Sequence, residues 1–167
     1  MNQTSEVRLR TVHPAIKRAV EILEEKLLAE GSGDIIVVQA ARTYAAQDEL
    51  YAQGRTAPGT VVTNARGGYS WHCFSLAVDL CPIDQAHQPD WNASHPVWQR
   101  MIDLGTSLGM VSGKSFHDLP HFQMTGRFPI TPTDEVRTIF ESGGVDAVWA
   151  ESGVTLPENS DITAAQT

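Results

Sequence analysis

The sequence predicts a small α+β domain with helices packed on an antiparallel sheet, and three observations predict it. Residues 13–30 and 96–109 repeat apolar side chains at helical spacing. Residues 34–39 and 76–78 are short apolar runs, too short for helices and suited to buried strands. The chain has 167 residues, enough for one domain with a real core and no sign of a second. Amphipathic helices and half-buried strands in one chain bury their apolar faces against each other, which gives the layered arrangement. The domain is expected over residues 1–155.

Met1 to Arg10 is polar and lacks the apolar stretch of a signal peptide. No segment approaches the length of a membrane span, so membrane insertion is not expected. The expectation is a protein made and kept in the cytoplasm unless a separate agent lets it out. From His13 to Glu30, Ile16, Val20, Leu23, Leu27 and Leu28 fall on one helical face, and Pro14 suits the first turn. Gly31-Ser32-Gly33 stops that helix. Asp34 to Gln39 follows as a strand, and Ala45 to Gln53 resumes helical spacing with Leu50 and Tyr51. Thr56 to Gly68, with Pro58 and Gly59, is a loop expected to wall a cleft.

Residues 82–94 form a second polar loop. His87 and His95 have no partner at ligand spacing, so both are assigned structural or solvent-exposed positions. Pro96 to Gly109 is a helix carrying Val97, Trp98, Met101, Ile102 and Leu108. Asp134 to Ser142 and Val145 to Glu151 read as two short helices. Leu156 to Thr167 is polar and reads as a disordered tail.

The net charge of −8 and an isoelectric point near 5.1 argue against nucleic acid as a partner. Cys73 and Cys81 follow no metal-site spacing and are expected as buried free thiols. There is no internal repeat, and a monomer is expected.

The chemistry is concentrated in Ser70-Trp71-His72-Cys73-Phe74-Ser75-Leu76-Ala77-Val78-Asp79 and in Asp118-Leu119-Pro120-His121. His72, Asp79 and His121 read as three ligands of a divalent metal such as Zn2+, with a fourth position open for water. That is the ligand count of a catalytic zinc, not a structural one. As one straight strand, residues 72–79 would span roughly 23 Å at about 3.3 Å per residue. The odd separation would also point the two side chains to opposite faces. The chain must therefore fold back between them, and Cys73 to Ser75 is the place for the bend. Leu76-Ala77-Val78 then runs as a strand that delivers Asp79 at its far end. Pro120 disfavours helix at Leu119, so Asp118 and His121 are expected on an extended, kinked piece. Phe122 should point into the core, with Gln123 on the face of His121. Two His and one carboxylate also make the facial triad of non-haem iron oxygenases, but there the first two ligands stand almost adjacent.

Arg42 follows the first strand. It reads either as a surface salt-bridge partner or as a guanidinium that grips a substrate carboxylate or polarises a carbonyl oxygen. Gln47 and Ser70 are further candidates for polar substrate contacts.

Ser-x-His-x6-Asp followed by Asp-x-x-His-Phe-Gln resembles the zinc peptidases that cleave bacterial cell-wall peptides. These are the VanY-type D,D-carboxypeptidases and the L-alanyl-D-glutamate endopeptidases, phage endolysins included, related in fold to the hedgehog signalling domain. The resemblance runs from about Val37 to Gln123 and more weakly to Trp149. It takes in Ala41-Arg42-Thr43, Leu50 to Thr56 and Gly67-Gly68-Tyr69, and the endopeptidase branch is the nearer match. It implies a hedgehog/D-Ala-D-Ala-peptidase-like fold, zinc on His72, Asp79 and His121, and Asp118 as catalytic acid/base. It also implies peptidoglycan stem peptides as substrate and a cleft position for Arg42.

The chain departs from the family at three places. Ser75 stands where Gly is usual, Cys73 where Asn is common, and Gly113-Lys114-Ser115 occupies a region that often carries a Trp. The resemblance leaves two alternatives to an L-alanyl-D-glutamate endopeptidase. One is a D-Ala-D-Ala carboxypeptidase. The other is a zinc-binding module without activity, against which an uncoordinated Asp118 argues. Because its relatives act outside the membrane, an endolysin-like release through a separate pore-forming protein is expected, with cytoplasmic trimming of recycled wall peptides as the rival.

Overall fold

A computed structural model describes residues 1–155, so the tail expected to be disordered, 156–167, lies outside the described residues. Helix α1, Gln3–Leu9, precedes the first element the periodicity announces. Helix α2, Pro14–Ala29, opens on His13, whose ring Nδ1 accepts a hydrogen bond from the Ala15 amide. It buries Ile16, Val20, Leu23 and Leu27. Strand β1, Ile35–Gln39, leads into α3, Tyr44–Ala52. A 3₁₀ turn, Trp71–Phe74, precedes strand β2, Ala77–Pro82. Helix α4, Pro96–Ser107, is followed by strand β3, Val111–Ser112, a second 3₁₀ turn, Gly113–Phe116, and strand β4, His121–Gln123. Helix α5, Asp134–Ser152, breaks at Gly144 (φ 69°, ψ −161°), so the two short helices expected there exist and meet at a kink.

The four strands form one antiparallel sheet in the order β1-β2-β4-β3. Helices α2 and α4 pack together, and their apolar faces share one hydrophobic cluster with β1, β2, Phe74 and Phe122. The outer edge of β1 is closed by α1. The Val37 amide donates to Ser5 Oγ at 3.0 Å, and Arg8 Nη1 donates to the Val37 carbonyl at 2.6 Å. Capping an edge strand in this way removes a template for pairing with other chains.

Two local expectations are corrected. Asp79 is the third residue of β2, not the end of the strand, because pairing with β1 continues past it to Pro82. Asp118 to His121 is a turn, not an extended piece: the His121 amide donates to the Asp118 carbonyl at 3.2 Å. The turn forms because the Asp118 amide is already held by the Gly113 carbonyl at 3.0 Å, which closes the second 3₁₀ turn.

Candidate active site

The expected bend between His72 and Asp79 is the first 3₁₀ turn followed by Ser75 in the left-handed region (φ 57°, ψ 27°). That reversal lets β2 run back beside the turn. In the pairing of β2 with β4, Asp79 stands opposite His121. Cross-strand neighbours on one face lie about 4.5–5.5 Å apart at Cβ, so this register alone brings the second and third candidate ligands together. His72 comes in from the turn. Its Nε2 is 3.1 Å from Asp79 Oδ1 and 3.2 Å from His121 Nδ1, and the His121 Nδ1–Asp79 Oδ1 separation is 3.3 Å.

The other face of each ring fixes which nitrogen is free. His72 Nδ1 donates to the Ala40 carbonyl at 2.7 Å, which leaves Nε2 as a bare lone pair. His121 Nε2 donates to Gln123 Oε1 at 2.9 Å, which leaves Nδ1 bare. The Gln123 amide nitrogen in turn donates to the Ile130 carbonyl at 2.8 Å, and this fixes the amide with its oxygen toward His121. Three acceptors therefore converge with no hydrogen between them, in residues that are buried or nearly so.

This donor set fits a divalent metal. A tetrahedral ion with bonds of about 2.0–2.1 Å has ligand–ligand edges of about 3.3–3.4 Å. The triangle measured above matches those edges, and the backbone and amide partners of the two rings are the outer support that metal-binding histidines need. Protons compete for the same atoms. Burial opposes charge on His121, yet Asp79 raises its pKa. Burial likewise works to raise the Asp79 carboxyl, but His72 and His121 hold it well below the ordinary carboxylate range.

All three residues line a cleft of about 1010 Å³ together with Asp118, Arg42 and Ser70. The Thr56 to Gly68 loop does supply one wall, through Val62, Thr63, Asn64 and Ala65, and residues 115–118 supply another. Asp118 Oδ2 stands 4.0 Å from His121 Nδ1, outside the ligand triangle. Its carboxyl pKa is raised by burial and then by the negative charge of Asp79. Water over the half-exposed side chain tempers that shift.

Arg42 is held from two sides. Its amide donates to the His72 carbonyl at 2.9 Å, and its Nη1 donates to Gln47 Oε1 at 2.7 Å. It pairs with a neutral amide, not with the surface carboxylate of the alternative reading. Its Nε is buried without a hydrogen-bond partner among the described residues. Gln47 is placed differently from expectation. It is fully buried and faces Arg42 instead of the cleft, and its own amide donates to the Ala65 carbonyl at 2.8 Å. Its oxygen is one of the two points that hold Arg42. Ser70 lines the cleft as expected.

His87 is exposed, and His95 caps α4 through a weak bond from the Val97 amide at 3.5 Å. Cys73 and Cys81 are buried free thiols, as their spacing implies. Three contributors went unread in the sequence: the Ala40 carbonyl, the Ile130 carbonyl and the Gly113 backbone. Main-chain atoms leave no residue-type signal.

No family model matches the chain. The peptidoglycan L-alanyl-D-glutamate endopeptidase CwlK of Bacillus subtilis (strain 168) is 32% identical over 123 residues, which cover 68% of this chain and 73% of that protein. Among solved structures, the L-Ala D-Glu endopeptidase ChiX of Serratia marcescens superposes with a TM-score of 0.55 at 22% identity, over 75% of this chain and 89% of that one. The vancomycin-resistance D,D-pentapeptidase VanY from a VanB-type cassette, in complex with Zn(II), superposes with a TM-score of 0.51 at 18% identity, over 83% of each chain. At such identities the two structures show a shared fold.

Proposed function

The chain belongs to the VanY and L-alanyl-D-glutamate endopeptidase family of zinc peptidases, and from that premise we propose that it hydrolyses the L-alanyl-D-glutamate bond of peptidoglycan stem peptides. The observation that carries this reading is the ligand triangle of His72, Asp79 and His121 with Asp118 standing free beside it. A module that only stored a metal would have no use for an uncoordinated carboxylate at that distance.

His72 Nε2, Asp79 Oδ1 and His121 Nδ1 would hold the zinc, which would supply a Lewis acid and lower the pKa of a water toward neutrality. Asp118 takes the proton of the attacking water and passes it to the leaving amine. Its raised pKa suits both halves of that task, since the carboxylate must accept the proton and then release it. Arg42, which lines the cleft, offers its guanidinium to the negative charge that develops on the scissile carbonyl oxygen. Ser70, on the wall beside it, is a polar contact for the peptide backbone.

The D-Ala-D-Ala carboxypeptidase reading keeps one supporting observation. The same Arg42 guanidinium suits a terminal carboxylate equally well. Mass spectrometry of purified peptidoglycan after digestion separates the two. An endopeptidase leaves peptides with a new D-glutamyl amino terminus, whereas a carboxypeptidase releases free D-alanine. Release of D-alanine alone would overturn the endopeptidase proposal. A lytic role belongs to the same proposal, and lysis requires acceptance of polymer. Turbidity of outer-membrane-stripped cells should fall on adding the protein. Resistance of intact sacculi with rapid cleavage of free muropeptides would leave cytoplasmic trimming as the role.

A further inference from the structure

Tyr69 is an exposed aromatic ring with a fixed position. It lines the cleft, and 53% of its surface is open to solvent. One face of the ring is covered by Arg137, whose guanidinium carbon lies 4.1 Å from the ring centroid. That guanidinium is itself anchored. Its Nη1 donates to the carbonyls of Gly68 at 3.1 Å and Pro132 at 3.3 Å, and its Nη2 pairs with Asp134. Gly68 makes the arrangement possible, because a Cβ there would stand 3.2 Å from Arg137 Cδ and 3.1 Å from Tyr44 Cζ. A flat ring left open to water, with its orientation set by a cation behind it, has the form of a stacking platform.

The proposed mechanism determines what reaches that platform. Asp118 protonates the leaving amine, so the half of the substrate on the C-terminal side of the scissile bond lies toward residues 115–118. The acyl half lies toward the other wall, formed by residues 62–65 and 69–70. In the substrate proposed above that half is short. A single L-alanine separates the scissile carbonyl from the lactyl group of an N-acetylated amino sugar. Two residue lengths at about 3.5 Å place the pyranose roughly 7 Å from the scissile carbonyl.

Resting on that endopeptidase reading, we infer that Tyr69, braced by Arg137, forms a stacking subsite for the pyranose ring of the amino sugar joined to the acyl side of the scissile bond. The apolar C–H face of the sugar lies on the open face of the phenol ring, and the preference it creates is for glycan-linked peptides over free ones. The fixed ring means that little side-chain freedom is lost on binding, which is how a preorganised contact yields selectivity.

The test is the ratio of kcat/KM for an N-acetylmuramoyl peptide to that for the free peptide of the same sequence, measured by chromatography on the zinc-loaded enzyme. The ratio is expected to be about tenfold or more for the native chain. It should fall to near one in Tyr69→Ala and in Tyr69→Leu, and persist in Tyr69→Phe, since stacking needs the ring and not the hydroxyl. Tyr69 is exposed, so the variants are expected to fold, and thermal unfolding checks that they do. A native ratio near one, or a ratio unchanged in Tyr69→Ala and Tyr69→Leu, overturns the subsite while leaving the endopeptidase reading intact. Failure of the native enzyme to cut either substrate between L-alanine and D-glutamate overturns the reading and the subsite with it.

Discussion

Two turns of the same construction border the cleft. Trp71–Phe74 and Gly113–Phe116 are both single 3₁₀ turns, and each is closed by a non-glycine residue in the left-handed region, Ser75 and His117. They differ in what surrounds them. Trp71, His72, Cys73 and Phe74 are all buried, and His72 is locked by the Ala40 carbonyl. The second turn is exposed from Lys114 to Asp118. On the proposed function, one motif gives a rigid metal ligand when packed into the core and a proton-transferring carboxylate when left at the rim. Burial, not local backbone, assigns the role.

The comparison breaks most severely at the buried ligand set. His121→Ala removes one of three ligands and should strip most of the zinc, with hydrolysis falling to background. Elemental analysis checks it, and full retention of about one zinc per chain would mean that the ligand set is wrong. Asp118→Asn tests the exposed turn. The zinc should stay, while kcat falls roughly 10²–10⁴-fold, the usual worth of a positioned acid/base. If activity survived within a few-fold, His117, which also lines the cleft, would be the base to examine.

The next effect is smaller and concerns how the exposed turn is held. Gly113 approaches Asp118 so closely that a Cβ would meet the Asp118 carbonyl oxygen at 2.2 Å and His121 Cβ at 2.8 Å. Gly113→Ala must therefore push the turn outward. A displacement near 1 Å can cost on the order of 10²-fold in rate, so kcat should drop by up to that amount. KM should shift less, since the wall formed by residues 62–65 is untouched. Unchanged kcat would show that the carboxylate position tolerates more slack than a proton transfer should. Zinc affinity serves as the contrast here, because Gln123→Leu acts on it instead. Losing the oxygen that fixes His121 should weaken zinc roughly 10–100-fold, the usual cost of deleting such support. Competition with a chromophoric chelator measures it.

These positions also mark how far the sequence could be read. His72, Asp79 and His121 were legible because imidazole and carboxylate in apolar surroundings need a partner, and the odd spacing required a bend. The long helices α2 and α4 were legible from their apolar period. Helix α1 was not, since seven residues span only two turns and it gives the core little beyond Leu9, with Ser5 and Arg8 at a strand edge. The turn at Asp118 was missed because it is set by the Gly113 carbonyl, and Pro120 permits a turn as readily as an extended chain. The burial of Gln47 was missed for a related reason. A polar residue near a cleft reads as a substrate contact, and only the three-dimensional packing shows that it is covered.

The smallest effect lies in the buried turn itself. Ser75 occupies φ 57°, ψ 27°, where a Cβ crowds the following carbonyl and costs about 1–2 kcal/mol. The turn tolerates this because its neighbours are fixed: the Ser75 carbonyl accepts from the His13 amide at 2.9 Å, and the Ser75 amide donates to the His72 carbonyl at 3.3 Å. Ser75→Gly removes the crowding and keeps both backbone bonds. Against this, glycine adds freedom to the unfolded chain, worth about 0.5–1 kcal/mol in the opposite direction. Strain relief is the larger of the two, so a net gain of about 0.5–1 kcal/mol is expected, or roughly 1–4 °C in Tm for a domain of this size. Zinc content and kcat should not change, because Ser75 contributes neither a ligand nor a cleft contact. A drop in Tm on Ser75→Gly would show that the serine side chain holds the buried turn together more strongly than its backbone geometry strains it. The contrast between the two turns would then rest on that side chain as well as on burial.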